Sequence, residues 1–267
     1  MSEQKKTVLV VGATGSIGRY VVEVALEHGY SVHALVRDPA KAKELPREAH
    51  LIQGDVTRPE TIPPAVAGID AVVFTLGSDG QGKAGAESID YGGVRNVLVA
   101  IGSHPVRIAL MTSIGVTNRN SSYNRSTEAH DWKRRSERLV RASGMPYTIV
   151  RPGWFDYNGP KEHKLVLLQG DTRHTGTPKD GVIARRQIAE VLVGSLSSPG
   201  ATRKTFELIA TEGPAQQDME PLFTALDPDV EGSIDAANDV CNQPLESEPQ
   251  RVRDDLDSVF ERSKRIR

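Results

Sequence analysis

Val8-Leu9-Val10-Val11-Gly12-Ala13-Thr14-Gly15-Ser16-Ile17-Gly18 joins a four-residue apolar run to a glycine-spaced turn, and an amphipathic stretch follows at once. A run of Val8 to Val11 reads as a strand buried on both faces. Gly12 permits a tight exit, Gly15 leaves room for a pyrophosphate against the backbone, and Gly18 allows a helix to lie close to the strand. With Ile17, Val21, Val24 and Ala25 turned toward the sheet, the first helical N–H groups point at an anion without any basic side chain. Thr14, Ser16 and Ile17 fall in the same turn and join the three glycines as candidate nucleotide-binding residues. His28-Gly29 closes the helix, and Ser31 to Val36 reads as a second buried strand, so strand, helix and strand fit within about thirty residues.

Arg37 ends that second strand, 19 positions beyond Gly18. An acidic residue at this spacing reads the free 2′-hydroxyl of NAD, whereas an arginine suits the additional phosphate of NADP. Asp38-Pro39 fits an N-cap and first-turn pair for the next helix. NADP is therefore the expected cofactor, ahead of NAD.

Strand-like and helix-like segments continue to alternate. Leu51-Ile52, Ala71 to Thr75, Val106 to Thr112 and Tyr147 to Val150 read as strands; stretches near Pro59 to Ala67, Asp90 to Ile101 and Thr127 to Ser143 read as helices. Such alternation predicts an α/β fold with a doubly wound parallel sheet, whose ligand crevice lies at the strands' carboxyl ends. Gly12 to Gly18, Arg37, Asp55 with Val56, Gly77, Ser113 and Arg151-Pro152-Gly153 all fall there. The glycine-rich run Gly77 to Gly85 reads as a mobile loop beside the cofactor rather than a second phosphate cradle.

The chain has 267 residues, 38% of them hydrophobic, and a formal net charge of −2. That supplies a sizeable core and no basic field for nucleic acid or an anionic membrane. No apolar run is long enough to span a bilayer, and the polar stretch Met1 to Lys6 does not read as a signal peptide, so a cytoplasmic location is the expectation. Cys241 is the single cysteine, in a polar tail without neighbours spaced as metal ligands, and no metal site is expected.

Gly12-Ala-Thr-Gly-Ser-Ile-Gly18, Leu35-Val-Arg-Asp38, Gly54-Asp-Val56, Met111-Thr-Ser113, Lys133 and Ser143-Gly-Met-Pro-Tyr-Thr-Ile-Val-Arg-Pro-Gly153, in that order, resemble the atypical short-chain dehydrogenases/reductases of the NmrA-like, NAD(P)-binding group. The resemblance runs from about Thr7 to Leu208. It implies a Rossmann fold with NADP in the crevice, Asp55 at the adenine, Leu76 and Gly77 along the cofactor, Lys133 at the nicotinamide ribose, and Pro152-Gly153 behind the nicotinamide. Plainer roles stay open: a turn for Asp55, a strand-ending hydrogen bond for Ser113, and a solvated helix face for the run Lys133-Arg134-Arg135.

Oxidoreductases of that superfamily place a tyrosine four residues before the lysine, on the same helical face, where the ammonium lowers the phenol pKa. This chain has Ala129 there. His130, three before Lys133, shares the face and titrates near neutrality, so Ser113, Lys133 and His130 are the candidate catalytic residues. Tyr123, ten residues upstream of Lys133, is a second candidate proton donor. Trp154, Phe155 and Tyr157 are expected either to line an apolar substrate pocket or to pack beneath a substrate lobe. His163 and His174 read as surface residues, with contact to a polar substrate as the alternative.

Residues 1–153 are expected to form the nucleotide-binding core, 154–210 a small substrate lobe interleaved with it, and 211–267 a polar extension ending in a helix. In the lobe Lys164 to Gln169 and Thr205 to Ile209 read as strands around a helix from Arg186 to Leu196. Thr211 to Glu248 lacks pattern and reads as an extended segment. Arg251 to Arg267 resumes helical spacing with Val252, Leu256, Val259 and Phe260 on one face, to dock on its own domain or on a partner subunit. Three functions follow: an NADP-dependent oxidoreductase of a small carbonyl, quinone or similar molecule; a non-catalytic NADP-sensing regulator that binds a protein partner; and, opposed by Ala129 and the short lobe, a nucleotide-sugar epimerase or dehydratase.

Overall fold

A computed structural model describes residues 5–78 and 80–264. Met1 to Gln4 and Arg265 to Arg267, at the two ends of the sequence-based expectations, lie outside the described residues, as does Asp79 in the glycine-rich run.

Strand β1 (Thr7–Val11) leads through the glycine turn into α1 (Gly18–Glu27), and β2 (Ser31–Val36) and β3 (His50–Gln53) follow. Gly29 takes φ +83° and stops α1 as expected. The short α2 (Pro63–Val66) precedes β4 (Ala71–Phe74). After β4 the glycine-rich run departs from the expected loop, because Gly82–Gly85 is helical (α3) and continues through a π-helical turn, Ala86–Tyr91, into α4 (Gly92–Ile101). Next come β5 (Arg107–Met111), α5 (Ser122–Thr127), α6 (Ala129–Ala142) and β6 (Tyr147–Pro152). The two-residue strands β7 (Trp154–Phe155) and β9 (Val182–Ile183) flank β8 (Lys164–Leu168) in sequence, and α7 (Arg185–Ser197), β10 (Lys204–Thr211), α8 (Glu220–Thr224) and α9 (Gln250–Ser263) complete the described elements.

The sheet runs β3-β2-β1-β4-β5-β6-β10-β9-β7, with β8 also on β10. The first seven are mutually parallel, and β8 and β9 run antiparallel to β10. Strand order reverses between β1 and β4, so the carboxyl ends there open a crevice. Val8 and Val10 face α1 and α7, while Leu9 and Val11 face α2, α4, α6 and α9. The sheet is therefore covered on both sides, as its continuous apolar strands require. Within residues 154–210, β10 extends the main sheet beside β6 and α7 packs in the layer with α1.

The final helix buries Val252, Leu256 and Val259 against the α4–α6 layer of its own chain, with Phe260 about half exposed. Before it, the patternless segment lies as an ordered strap along α6. The arginines of α6 are buried there, not on a solvated face: Arg138 meets Asp235 and Glu248, Arg135 meets Glu248, and Arg141 meets Asp229. Burial of so many guanidiniums is tolerable only because each carries carboxylate or carbonyl acceptors.

Candidate functional site

Gly12 sits at φ +94°, and a Cβ there would lie 2.9 Å from the Thr75 carbonyl oxygen of neighbouring β4's exit. The turn closes with the Gly15 N–H donating to Gly12 O at 2.9 Å. A Cβ on Gly18 would fall 2.0 Å from Gly12 O, so α1 can start this close to β1 only with glycine. In the first turn of α1 the Arg19 and Val21 N–H groups donate to Gly15 O and Ile17 O, so anion binding falls to the remaining amides of the turn and helix start.

A cleft of about 280 Å³ opens at this point. It brings together Gly12, Thr14, Gly15, Arg37, Asp55, Val56, Leu76 and Gly77 from the sequence-predicted set, and adds Thr75 and Gln81, which sequence reasoning missed. Ser16 is exposed in the turn, whereas Ile17 turns its side chain into the α1 core. Arg37 is exposed at the rim and has no ion-pair partner among the described residues. Asp55 makes the turn the sequence allows, one carboxylate oxygen holding the Thr57 N–H and hydroxyl at 2.9 and 2.8 Å, and it also lines the cleft.

Ser113, Lys133, His130, Pro152 and Gly153 lie farther along the same carboxyl edge and do not line that cleft. Ser113 follows β5, and its Oγ is buried without a hydrogen-bond partner among the described residues. An unmatched buried hydroxyl at a crevice is a ready contact for a bound polar group. Lys133 Nζ donates to Asp90 Oδ1 at 2.8 Å, and Ser78 Oγ donates to Asp90 Oδ2 at 2.6 Å. Asp90 is 3% exposed and is delivered by the π-helical turn; sequence reading took it only as a helix start.

His130 begins α6, its N–H donating to Asn124 Oδ1, and its buried Nδ1 has no partner among the described residues. Burial lowers its imidazole pKa below the ordinary histidine value, with the nearby Asp171 charge partly opposing. Tyr123 lies beside it, ring centroids 5.2 Å apart. Ala129, where the superfamily tyrosine would stand, is buried against the core.

Pro152 O accepts from Ile114 N, which ties the end of β6 to the segment after Ser113. A Cβ on Gly153 would fall 2.5 Å from Gly181 O, so its glycine is required by the backbone just before β9. Trp154 and Tyr157 are 37% and 65% exposed and meet edge to face at 6.1 Å, while Phe155 packs against the core beneath Arg185. His163 and His174 are exposed. His174 approaches Asp171, a buried carboxylate that receives the N–H groups of Gly115 and Thr117 at 2.6 and 2.7 Å.

Behind these groups lies a buried ionic cluster. Glu137 accepts from Thr112 Oγ1 and twice from Arg151, which also pairs with Asp239 and Glu207. Burial pushes the Glu137 carboxyl up, but the Arg151 and Arg141 guanidiniums overcome it and hold the group at about 2. Glu207 goes the other way: burial, aided by Asp171 and Asp239 and opposed by Arg151, raises it to about 8. The folded chain thus retains a proton on Glu207 that the unfolded chain releases near 4.5, so stability from this group is intact below about pH 4.5 and declines as pH rises toward about 8. Accordingly, in urea unfolding Glu207→Gln should gain on the wild type between pH 5 and pH 9, by on the order of 4 kcal/mol. An unchanged difference at the two pH values would show that Glu207 is ionised throughout.

Among the described residues no helix is long and apolar enough to cross a membrane, and no group of three or more His, Cys, Asp or Glu side chains is placed to hold a metal ion. The cradle that side chains would fill, the unpaired arginine at the rim and the orphaned Ser113 hydroxyl fit a dinucleotide laid along the carboxyl edge.

Residues 12–199 match the family described as NAD(P)H-binding. The chain is 31% identical over 221 residues to an NAD(P)H azoreductase of Xenophilus azovorans, covering 82% of this chain and 73% of that one. It is 30% identical over 211 residues to a photosystem II assembly factor of Trieres chinensis, covering 78% of this chain and 65% of that one. Among solved structures, an anaerobillin reductase of Escherichia coli O157:H7 has the same fold, with TM-score 0.62, 21% identity, and coverage of 79% of this chain and all of that one.

Proposed function

This chain belongs to the NAD(P)H-binding family, within the atypical NmrA-like short-chain dehydrogenases/reductases, and from that membership we propose that it is an NADPH-dependent reductase of a quinone or similar conjugated carbonyl compound. The observation that carries the reading is the glycine cradle opening on a cleft whose rim holds Arg37 without an acidic partner. The turn amides bind the diphosphate, and Arg37 pairs with the 2′-phosphate. Asp55 and Val56 take the adenine side. Leu76 and Gly77 border the dinucleotide, and Lys133, held by Asp90, donates to the nicotinamide ribose.

The bound cofactor supplies the hydride. Ser113 Oγ donates a hydrogen bond to the acceptor oxygen, and His130, on the same helix as Lys133, offers an imidazole N–H through which a proton drawn from solvent is relayed to the product anion. Ala129 provides no phenol, which favours acceptors that spread the added charge. Hydride addition to a quinone leaves a phenolate-type anion, a much weaker base than the alkoxide left by a simple ketone, so it needs a weaker acid. Trp154, Phe155 and Tyr157 flank the end of β6 and supply aromatic surface for a planar acceptor. We place the reaction in the cytoplasm, with a small molecule as partner.

The test is NADPH oxidation with menadione and with a panel of simple ketones. Turnover with menadione exceeding that with the ketones is expected. Arg37→Ala should weaken NADPH about tenfold or more in a fluorescence titration and NADH less than about twofold; equal losses would remove the NADP assignment. A second reading, a cofactor-sensing regulator that binds a protein, is favoured by Ala129 and by the relative that is an assembly factor. Tight NADPH binding with no oxidation by any acceptor would select it.

A further inference from the structure

We infer that Asn242, on the carboxyl-terminal strap, is a positioning residue for the candidate active site: it clamps the segment that follows Ser113 and, through it, the end of α6 that bears His130. The inference rests on the proposed function for its consequence in turnover, but the clamp itself is a matter of hydrogen bonds.

Asn242 lies outside the matched family region, residues 12–199, and is 129 positions from Ser113 in sequence. Its side-chain amide donates to Thr117 O at 2.9 Å, its side-chain oxygen accepts from Arg134 Nη1, and its backbone oxygen accepts from Arg119 Nη1 at 3.0 Å. Arg119 in turn grips both oxygens of Asp131 at 3.0 and 3.1 Å. Asn124 ties the same corner, donating to Asp131 Oδ1 and accepting the N–H groups of His130 and Asp131. Asp171 holds the opposite side of the segment through Gly115 and Thr117. The segment after Ser113 is therefore fixed between one carboxylate from the loop after β8 and one amide from the strap.

This arrangement answers a need created by the sequence. Residues 113–121 form turns rather than a regular ladder, and the Gly115 N–H, the Thr117 N–H and the Thr117 carbonyl take their partners from side chains brought from elsewhere. The strap that brings Asn242 is itself pinned by Arg135, Arg138 and Arg141 of α6, the helix that carries His130 and Lys133. Position of the two candidate catalytic elements is thus set by one connected network rather than by either element alone.

Asn242→Asp separates clamping from anchoring. A carboxylate still accepts from Arg134, and its charge favours both nearby arginines, but it has no N–H for Thr117 O. Hydrogen exchange followed by mass spectrometry on the full chain should show residues 113–119 exchanging about five- to tenfold faster. Residues 134–141 should be unchanged, and NADPH affinity should stay within about twofold because the cradle is remote. With menadione, kcat should fall about tenfold while KM changes less than about threefold. Asn242→Ala, which loses both contacts, should loosen the strap as well. Unchanged exchange at 113–119 in Asn242→Asp, or equal acceleration at 113–119 and 134–141, would overturn the clamp. Absence of menadione turnover in the wild type would instead remove the proposed reaction, and the exchange comparison would still decide the role of Asn242.

Discussion

Replacing Gly18 by alanine is expected to abolish measurable dinucleotide binding while the chain still folds. The new Cβ would lie 2.0 Å from Gly12 O and 2.8 Å from Gly12 C, both backbone atoms that cannot rotate away. Relief requires the start of α1 to move from β1 by on the order of 1 Å, against an interior packed as densely as a crystal. The first-turn amides move with it, and a misplacement of that size costs about a hundredfold where geometry controls the interaction. Calorimetric titration with NADPH should show the loss. Gly29→Ala is the control: its φ is +83°, but no atom lies within 4 Å of the added Cβ. It should cost about 1 kcal/mol of stability and leave binding intact. Loss of binding in both variants, in proportion to their melting temperatures, would assign the effect to stability alone.

The second large effect is Arg151→Met, expected to destabilise the protein by about 3–5 kcal/mol. Arg151 is fully buried and donates to Glu137 at 3.0 and 2.7 Å and to Asp239 at 2.8 and 2.7 Å, with Glu207 at 3.3 Å. Removing the guanidinium leaves carboxylates without their counter-charge in the interior, which costs more than the pair itself contributes. In a chain of this length that should lower the melting temperature at pH 7 by about 10 °C. Arg186→Ala, which breaks exposed pairs with Glu27 and Glu190, should change it by about 1–2 °C at most. Similar shifts for the two variants would mean that the buried cluster contributes no more than the surface pairs.

The parts of the fold legible in sequence are those whose causes are local. Val8 to Val11 with Gly12, Gly15 and Gly18 specify a strand, a turn and a helix within a dozen residues, and Ser31 to Val36 is bounded by Gly29 and Asp38-Pro39. Arg37 and Asp55 reach the cleft because strand ends in a parallel sheet converge there. The strap was not legible, because its meaning lies in partners far away. Asp229 meets Arg141 88 residues earlier, Asp235 meets Arg138 97 earlier, and Glu248 meets Arg135 113 earlier. Read alone, those carboxylates look like solvated extension, and the arginines look like a charged helix face. Asp90 was hidden for a related reason: a π-helical turn, which no residue pattern announces, aims it at Lys133.

Titration of the purified wild-type chain with NADPH and with NADH by calorimetry tests the central claim most directly, since cradle and rim arginine together define the cofactor. One molecule of NADPH per chain, bound with a Kd of about 10 μM or tighter and at least about tenfold more tightly than NADH, is the result predicted. Absence of binding heat with either dinucleotide would contradict it.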